Sequence, residues 1–125
     1  MKILIVDDSS TIRRIVKKVL GDMGQADVLE GANGLEAVNL SADGAVGLIL
    51  MDWNMPEMSG IDAVKAIRAK GNKTPIVMVT TEAEKSRVIE AIQAGINDYV
   101  VKPFTPEQFK SKVQKFLQPP APPAA

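Results

Sequence analysis

Two apolar runs in this chain end in acid. Leu48-Ile49-Leu50-Met51 leads into Asp52 and then Trp53-Asn54-Met55-Pro56, while Ile3-Leu4-Ile5-Val6 leads into Asp7-Asp8. A carboxylate that follows a buried strand is costly to desolvate, and three of them gathered from two strands repel one another unless a cation joins them. The pattern points to a hard-metal site beside a reactive carboxylate. Two more strand ends carry polar groups compatible with such a site: Thr80 with Thr81 after Ile76-Val77-Met78-Val79, and Lys102 before Pro103 after Tyr99-Val100-Val101. Taken singly, an Asp-Asp pair reads as a turn or helix cap, Thr80 as a cap and Lys102 as a solvated charge. Four strand ends bearing a mutually compatible set read as one site.

These residues meet only if the strands that carry them lie side by side and point the same way. Short apolar runs at 2–7, 27–30, 47–51, 75–79 and 98–101 alternate with helix-period stretches at about 10–20, 34–41, 60–70, 83–94 and 106–117. On the first helix Ile12, Ile15, Val16, Val19 and Leu20 form one apolar stripe, and Gly21 is expected near its end. On the last, Thr105 is a cap, Pro106 suits the first turn, Gln108 completes a capping box, and Phe109, Val113, Phe116 and Leu117 form the buried stripe. Strands this uniformly apolar are expected when helices cover both sheet faces, so the five βα units predict an open parallel α/β sandwich. In such a sheet, ligands bind outside the carboxyl ends of the strands, where every polar candidate falls. The Pro/Ala-rich stretch 118–125 cannot continue a helix and is expected to be an extended, flexible tail or a piece of linker.

Composition narrows the chemistry further. The chain has 125 residues, 46% of them hydrophobic, which suits one domain with a single well-buried core over residues 1–117. Fifteen Lys/Arg balance fifteen Asp/Glu, and the basic residues are dispersed, which argues against nonspecific nucleic-acid binding. The absence of cysteine and histidine removes disulfides, a thiol nucleophile, an imidazole base and the usual zinc ligands. Carboxylates, hydroxyls and lysine are left to do the work. The N-terminal apolar run is too short for a signal peptide or membrane span, so no membrane association is expected and the cytoplasm is the default compartment.

Ile5-Val6-Asp7-Asp8-Ser9-Ser10, Met51-Asp52-Trp53-Asn54-Met55-Pro56, Val79-Thr80-Thr81-Glu82 and Val101-Lys102-Pro103-Phe104 together resemble the signature segments of the receiver domain of bacterial response regulators, particularly its stand-alone chemotaxis members. The resemblance covers residues 1–117 in order. It implies a flavodoxin-like (βα)5 three-layer sandwich with a parallel five-stranded sheet in the order 2-1-3-4-5, an order carried over from the family. It implies that Asp52 accepts a phosphoryl group from a histidine of a chemotaxis-type kinase, giving an aspartyl phosphate. Mg²⁺ is the implied cofactor, ligated by Asp8, Asp52 and the Asn54 backbone carbonyl, with Asp7 acting through a bound water; its preference for hard oxygen ligands and retained waters suits these groups.

The resemblance further implies that Thr80 and Lys102 each engage a phosphoryl oxygen and that the Lys102-Pro103 bond is cis. Asn54 and Glu82 stand where the family tunes hydrolysis of the acyl phosphate, and Tyr99 stands at its switch aromatic, which moves inward on activation. Thr81 is bulkier than its counterpart in well-known members, so it is expected to alter the room left for Tyr99. Val88, Ile89 and Ile92 on the fourth helix supply more apolar surface than one narrow inward stripe requires, so Val88 either faces solvent and serves a partner or packs into the core. The expected output is a monomer whose face of fourth helix, fifth strand and fifth helix binds a target such as the flagellar switch, with a phosphatase as a further partner. Alternatives are a phosphate-sink receiver, the regulatory half of a longer protein, or a Mg²⁺-dependent phosphohydrolase of the haloacid-dehalogenase type. The last requires Asp-x-Asp after the first strand, which Asp7-Asp8-Ser9 does not supply.

Overall fold

Strand and helix alternate along the computed structural model, which describes residues 1–117. In chain order the elements are β1 (Lys2–Val6), α1 (Ser10–Asp22), β2 (Val28–Gly31), α2 (Gly34–Ser41), β3 (Val46–Met51), α3 (Gly60–Ala69), β4 (Ile76–Thr80), α4 (Lys85–Ala94), β5 (Asp98–Val101) and α5 (Pro106–Val113), followed by a 3-10 turn over Gln114–Phe116. All strand pairs are parallel, and the order across the sheet is β2-β1-β3-β4-β5. The tail expected at 118–125 lies outside the described residues.

Side chains alternate across the pleat, so each central strand feeds two cores. Ile3, Ile5, Leu48, Leu50, Val77 and Val79 join Val16, Val19 and Leu20 of α1 and Phe109 and Val113 of α5 on one face. Leu4, Val6, Ile49, Met51, Ile76 and Met78 face the other way, against Ala37 and Val38 of α2, Ile61, Val64 and Ile67 of α3 and Ala91 of α4. Burial on both faces explains why the strands carry almost no polar residue until their ends.

Some boundaries follow the sequence expectation and others differ, each for a local reason. Gly21 lies near the end of α1 as expected, the helix running on to Asp22 and stopping where Gly24 takes a φ of +81°. Within the apolar stripe of α1, Val16, Val19 and Leu20 are buried, Ile12 is partly buried and Ile15 is 46% exposed. Helix α4 begins at Lys85 because Glu84 is extended and acts as its N-cap, without a side-chain hydrogen bond. The capping box of Thr105 and Gln108 forms as expected, but α5 tightens into the 3-10 turn after Val113, leaving Phe116 and Leu117 only partly buried. Lys112 and Lys115 both pair with Asp98 at the start of β5, which ties this last segment to the sheet.

The β3–α3 connection folds back so closely that only glycine fits at position 60. Gly60 donates its N–H to the Trp53 carbonyl at 2.8 Å, and a Cβ there would lie 1.8 Å from the Asp52 carbonyl oxygen. Gly60→Ala is therefore expected to lower the unfolding free energy by about 3 kcal/mol through forced backbone displacement. Urea denaturation checks this; a loss under about 0.5 kcal/mol, the range of neutral surface changes, would mean that the loop relaxes freely.

Candidate functional site

Strand register brings the polar residues together. Val6 of β1 pairs with Met51 of β3, so the residues that follow them, Asp7 and Asp52, emerge side by side, and the Asp52 N–H donates to the Val6 carbonyl at 2.9 Å. Thr80 is the last residue of β4 and pairs with Val101, so that Lys102 follows directly, its N–H donating to the Thr80 carbonyl at 2.8 Å. Asp7, Asp8 and Asp52 each offer a carboxylate oxygen, and these oxygens lie within 4.8 Å of one another. Asp7 and Asp52 are buried and Asp8 is exposed.

Like charges this close repel by about 4 kcal/mol per pair at 4 Å and an effective dielectric near 20, so the cluster needs a cation. The Lys102 ammonium supplies one, donating to Asp7 Oδ2 at 2.8 Å and to Asp52 Oδ2 at 3.1 Å. Burial alone would push the Lys102 pKa down; the hydrogen bond to Asp7, together with the charges of Asp52 and Asp7, outweighs it and holds the pKa above its ordinary value. The remaining carboxylate oxygens are also oriented. Asp52 Oδ1 accepts the Trp53 N–H at 2.7 Å, and Asp7 Oδ1 accepts the Ser9 N–H at 2.9 Å. Three hard oxygen donors open to solvent on the Asp8 side suit a divalent cation such as Mg²⁺.

Around this centre, Thr80 is fully buried and its hydroxyl accepts the Glu82 N–H at 3.4 Å. Asn54 and Glu82 meet, Asn54 Nδ2 donating to Glu82 Oε1 at 2.9 Å. Tyr99 packs against the cluster that contains Trp53, and its hydroxyl donates to the Glu82 carbonyl. Thr81 does not prevent this contact: its side chain lines an apolar groove with Ile12, Ile15, Pro103 and Phe104 beside Lys102. The Lys102-Pro103 peptide is cis. Val88 is half-buried, between the two placements left open by the sequence; the exposed apolar residues of α4 are Ile89, at 44%, and Ile92, at 59%.

Three contacts near the site were not foreseen from the sequence. Arg13 of α1 donates to the Asp7 backbone carbonyl and to Glu30 of β2, which braces the first acidic turn. The Arg87 guanidinium lies 5.3 Å from the centre of the Trp53 ring. Gly60 holds the Asp52 backbone as described above. Gly60 directly follows Ser59, which caps α3 by accepting the Asp62 N–H at 3.2 Å, and the two arginines reach residues distant in the sequence, Glu30 and Trp53.

A parallel 2-1-3-4-5 sheet with an acidic cluster, a buried threonine and a lysine at its carboxyl edge defines a class, and the chain belongs to it: the response regulator receiver domain family, whose model matches residues 3–114. Among individual proteins, it is similar to chemotaxis protein CheY1 of Helicobacter pylori, at 50% identity over 94% of this chain and 97% of that protein. A chemotaxis protein CheY homolog of Campylobacter jejuni is 51% identical over 94% and 92% of the two chains. The solved structure of Vibrio cholerae chemotaxis protein CheY4 superposes with a TM-score of 0.84 at 39% identity, covering 93% of this chain and 98% of that one. As a receiver domain, the protein is a phosphorylation-activated signalling switch and not a metabolic enzyme.

The single tyrosine offers a direct test of this geometry. Burial first, then the negative charges of Glu82 and Asp52, push the Tyr99 phenol from 10.0 up to about 12, with Arg87 pulling the other way. Because the folded pKa is the higher one, this phenol contributes stability that is complete below about pH 10 and is lost as pH rises through about 12. Ultraviolet titration of the phenolate is expected to give a midpoint near 12, with stability declining over that window; a midpoint near 10.0 would mean that Tyr99 is not seated against Glu82.

Proposed function

We propose that this protein is a chemotaxis switch in which Asp52 takes a phosphoryl group from a histidine kinase and the face formed by α4, β5 and α5 then binds a target such as the flagellar motor switch. The observation that carries the reading is the shared hold of Lys102 on Asp7 and Asp52 beside solvent-facing Asp8. It leaves a nucleophilic carboxylate whose charge is already compensated, which is what attack on an anionic phosphoryl group requires. The names of the similar proteins from Helicobacter and Campylobacter support the chemotaxis assignment.

In this reading Asp8, Asp52 and the Asn54 backbone carbonyl would hold Mg²⁺, with Asp7 acting through a water, and the ion would supply positive charge to the phosphoryl oxygens. Asp52 is the attacking nucleophile. The Oδ of Asp52 bonds to phosphorus as the bond from phosphorus to the kinase histidine nitrogen breaks, leaving the electron pair on that nitrogen. Lys102 and the Thr80 hydroxyl take phosphoryl oxygens, the latter by donating its O–H while its oxygen accepts the Glu82 N–H. Movement of Thr80 is felt at Tyr99 because both contact Glu82. The paired side chains of Asn54 and Glu82 sit where they orient water for hydrolysis of the acyl phosphate, which limits the signal in time, with a phosphatase partner able to shorten it. The exposed Ile89, Ile92 and Val101 on the output side favour a binding role over that of a phosphate sink.

Asp52→Asn keeps the size of the side chain and removes the anionic nucleophile. Mass spectrometry after treatment with acetyl phosphate and Mg²⁺ is expected to show one base-labile phosphoryl group on the wild type and none on the variant. Capture of a motor-switch protein is expected from beryllofluoride-treated wild type, in which an aspartyl phosphate is mimicked, and not from untreated protein. Undiminished labelling of Asp52→Asn would overturn the assignment of the nucleophile, and equal capture with and without beryllofluoride would overturn the switch.

A further inference from the structure

Helix α4 is held to the rest of the molecule at few points. Of its ten residues only Ala91 is buried, and its N-cap makes no side-chain hydrogen bond. Its C-terminal end is fastened: Gly95 closes it in a left-handed turn at φ +113°, and Arg68 of α3 donates through Nε to the Gly95 carbonyl at 3.0 Å and through Nη2 to Asn97 at 3.1 Å. The N-terminal half has no comparable clasp. What it has is Arg87, one turn in, whose guanidinium lies 5.3 Å from the centre of the Trp53 indole.

Trp53 is the neighbour of the nucleophile. Its N–H donates to Asp52 Oδ1 at 2.7 Å, its carbonyl accepts from Gly60 at 2.8 Å, and its ring is buried with Ala91, Ile96 and Tyr99 in one cluster. The ring therefore cannot shift without moving either the peptide that touches Asp52 or the surface under Arg87. Arg87 also lies close enough to Tyr99 for its charge to be felt at the phenol, in the same conformation in which Tyr99 donates to Glu82. The ion pair of Arg87 with Glu90, at 3.3 Å on an exposed face, adds little of its own.

We propose that Arg87 is a positioning residue for the switch: by stacking on Trp53 it seats the first turns of α4 over the phosphoacceptor loop and favours the inward placement of Tyr99. Asp52 then reaches α4 by two routes, one through Thr80 and Glu82 and one through the Trp53 peptide and ring. The inference rests on the proposed phosphoacceptor role of Asp52. Tyr99 is already inward here, packed against the cluster that holds Trp53 with its hydroxyl on the Glu82 carbonyl, so the stacking belongs to the arrangement that activation selects, and a cation–π contact shifts such an equilibrium by roughly two- to thirtyfold.

Calorimetric titration with beryllofluoride in Mg²⁺ tests this on the whole chain. Arg87→Met keeps the length and apolar character of the stem and removes the cation; Arg87 is half-exposed, so the core is untouched. Lys85→Met removes an equal charge from the same turn as a control for long-range attraction, since the cation–π pairs among the described residues are Arg87 with Trp53 and Lys115 with Phe116. The expected result is that Arg87→Met weakens beryllofluoride binding about two- to thirtyfold and at least twice as much as Lys85→Met. Unchanged or tighter binding by Arg87→Met, or equal weakening in both variants, would overturn the positioning role. Failure of the wild type to bind beryllofluoride would instead overturn the phosphoacceptor reading, and this inference with it.

Discussion

One ammonium group holds together carboxylates that sequence places far apart. Lys102 Nζ bonds to Asp7, 95 positions away, and to Asp52, 50 positions away, and both acidic residues are buried. Gathering three acids at the end of a sheet would otherwise cost several kcal/mol in repulsion and desolvation. The fold tolerates them because β5 delivers a lysine to the same edge, and the parallel register of β1, β3, β4 and β5 leaves no other place for it. The chemistry proposed for the site follows from the same compensation: a carboxylate already paired with a cation can approach an anionic phosphoryl group.

The floor and the walls of this site differ in rigidity for a physical reason. Its floor is made of strands buried on both faces, with Gly60 pressed against the Asp52 carbonyl so that the Asp52 backbone has no slack. The wall made by α4 buries one residue of ten and is anchored mainly at its C-terminal end. A switch needs both properties, since two conformations close in energy are separated most readily where few buried contacts must change.

Much of this was legible in the sequence because strand ends are marked there. Apolar runs stop abruptly at Asp7, Asp52 and Lys102, and the parallel sheet expected from those runs puts their ends at one edge. The strand order was carried over by family resemblance, since periodicity says nothing about which strand neighbours which. Boundaries failed where local geometry overrode composition, as at Glu84, an extended cap inside a helix-period stretch. The sequence left Val88 open between solvent and core; the helix packs so lightly that its apolar stripe is split, with Val88 half-buried and Ile89 and Ile92 outside. Arg13 and Arg87 had no signature at all, because an arginine that caps a carbonyl or stacks on an indole has the same sequence context as one that is merely solvated.

The charge compensation at the centre is tested most directly by chemical denaturation of Lys102→Met and wild type, each with and without Mg²⁺. Without the ion, the variant is expected to be less stable by about 3 kcal/mol, the cost of leaving buried carboxylates without their partner. Added Mg²⁺ is expected to stabilise the variant more than the wild type, because the ion then serves charges that no ammonium neutralises. Equal stability of the two proteins without Mg²⁺, or equal gains on adding it, would contradict the view that Lys102 and a divalent cation answer to the same three carboxylates.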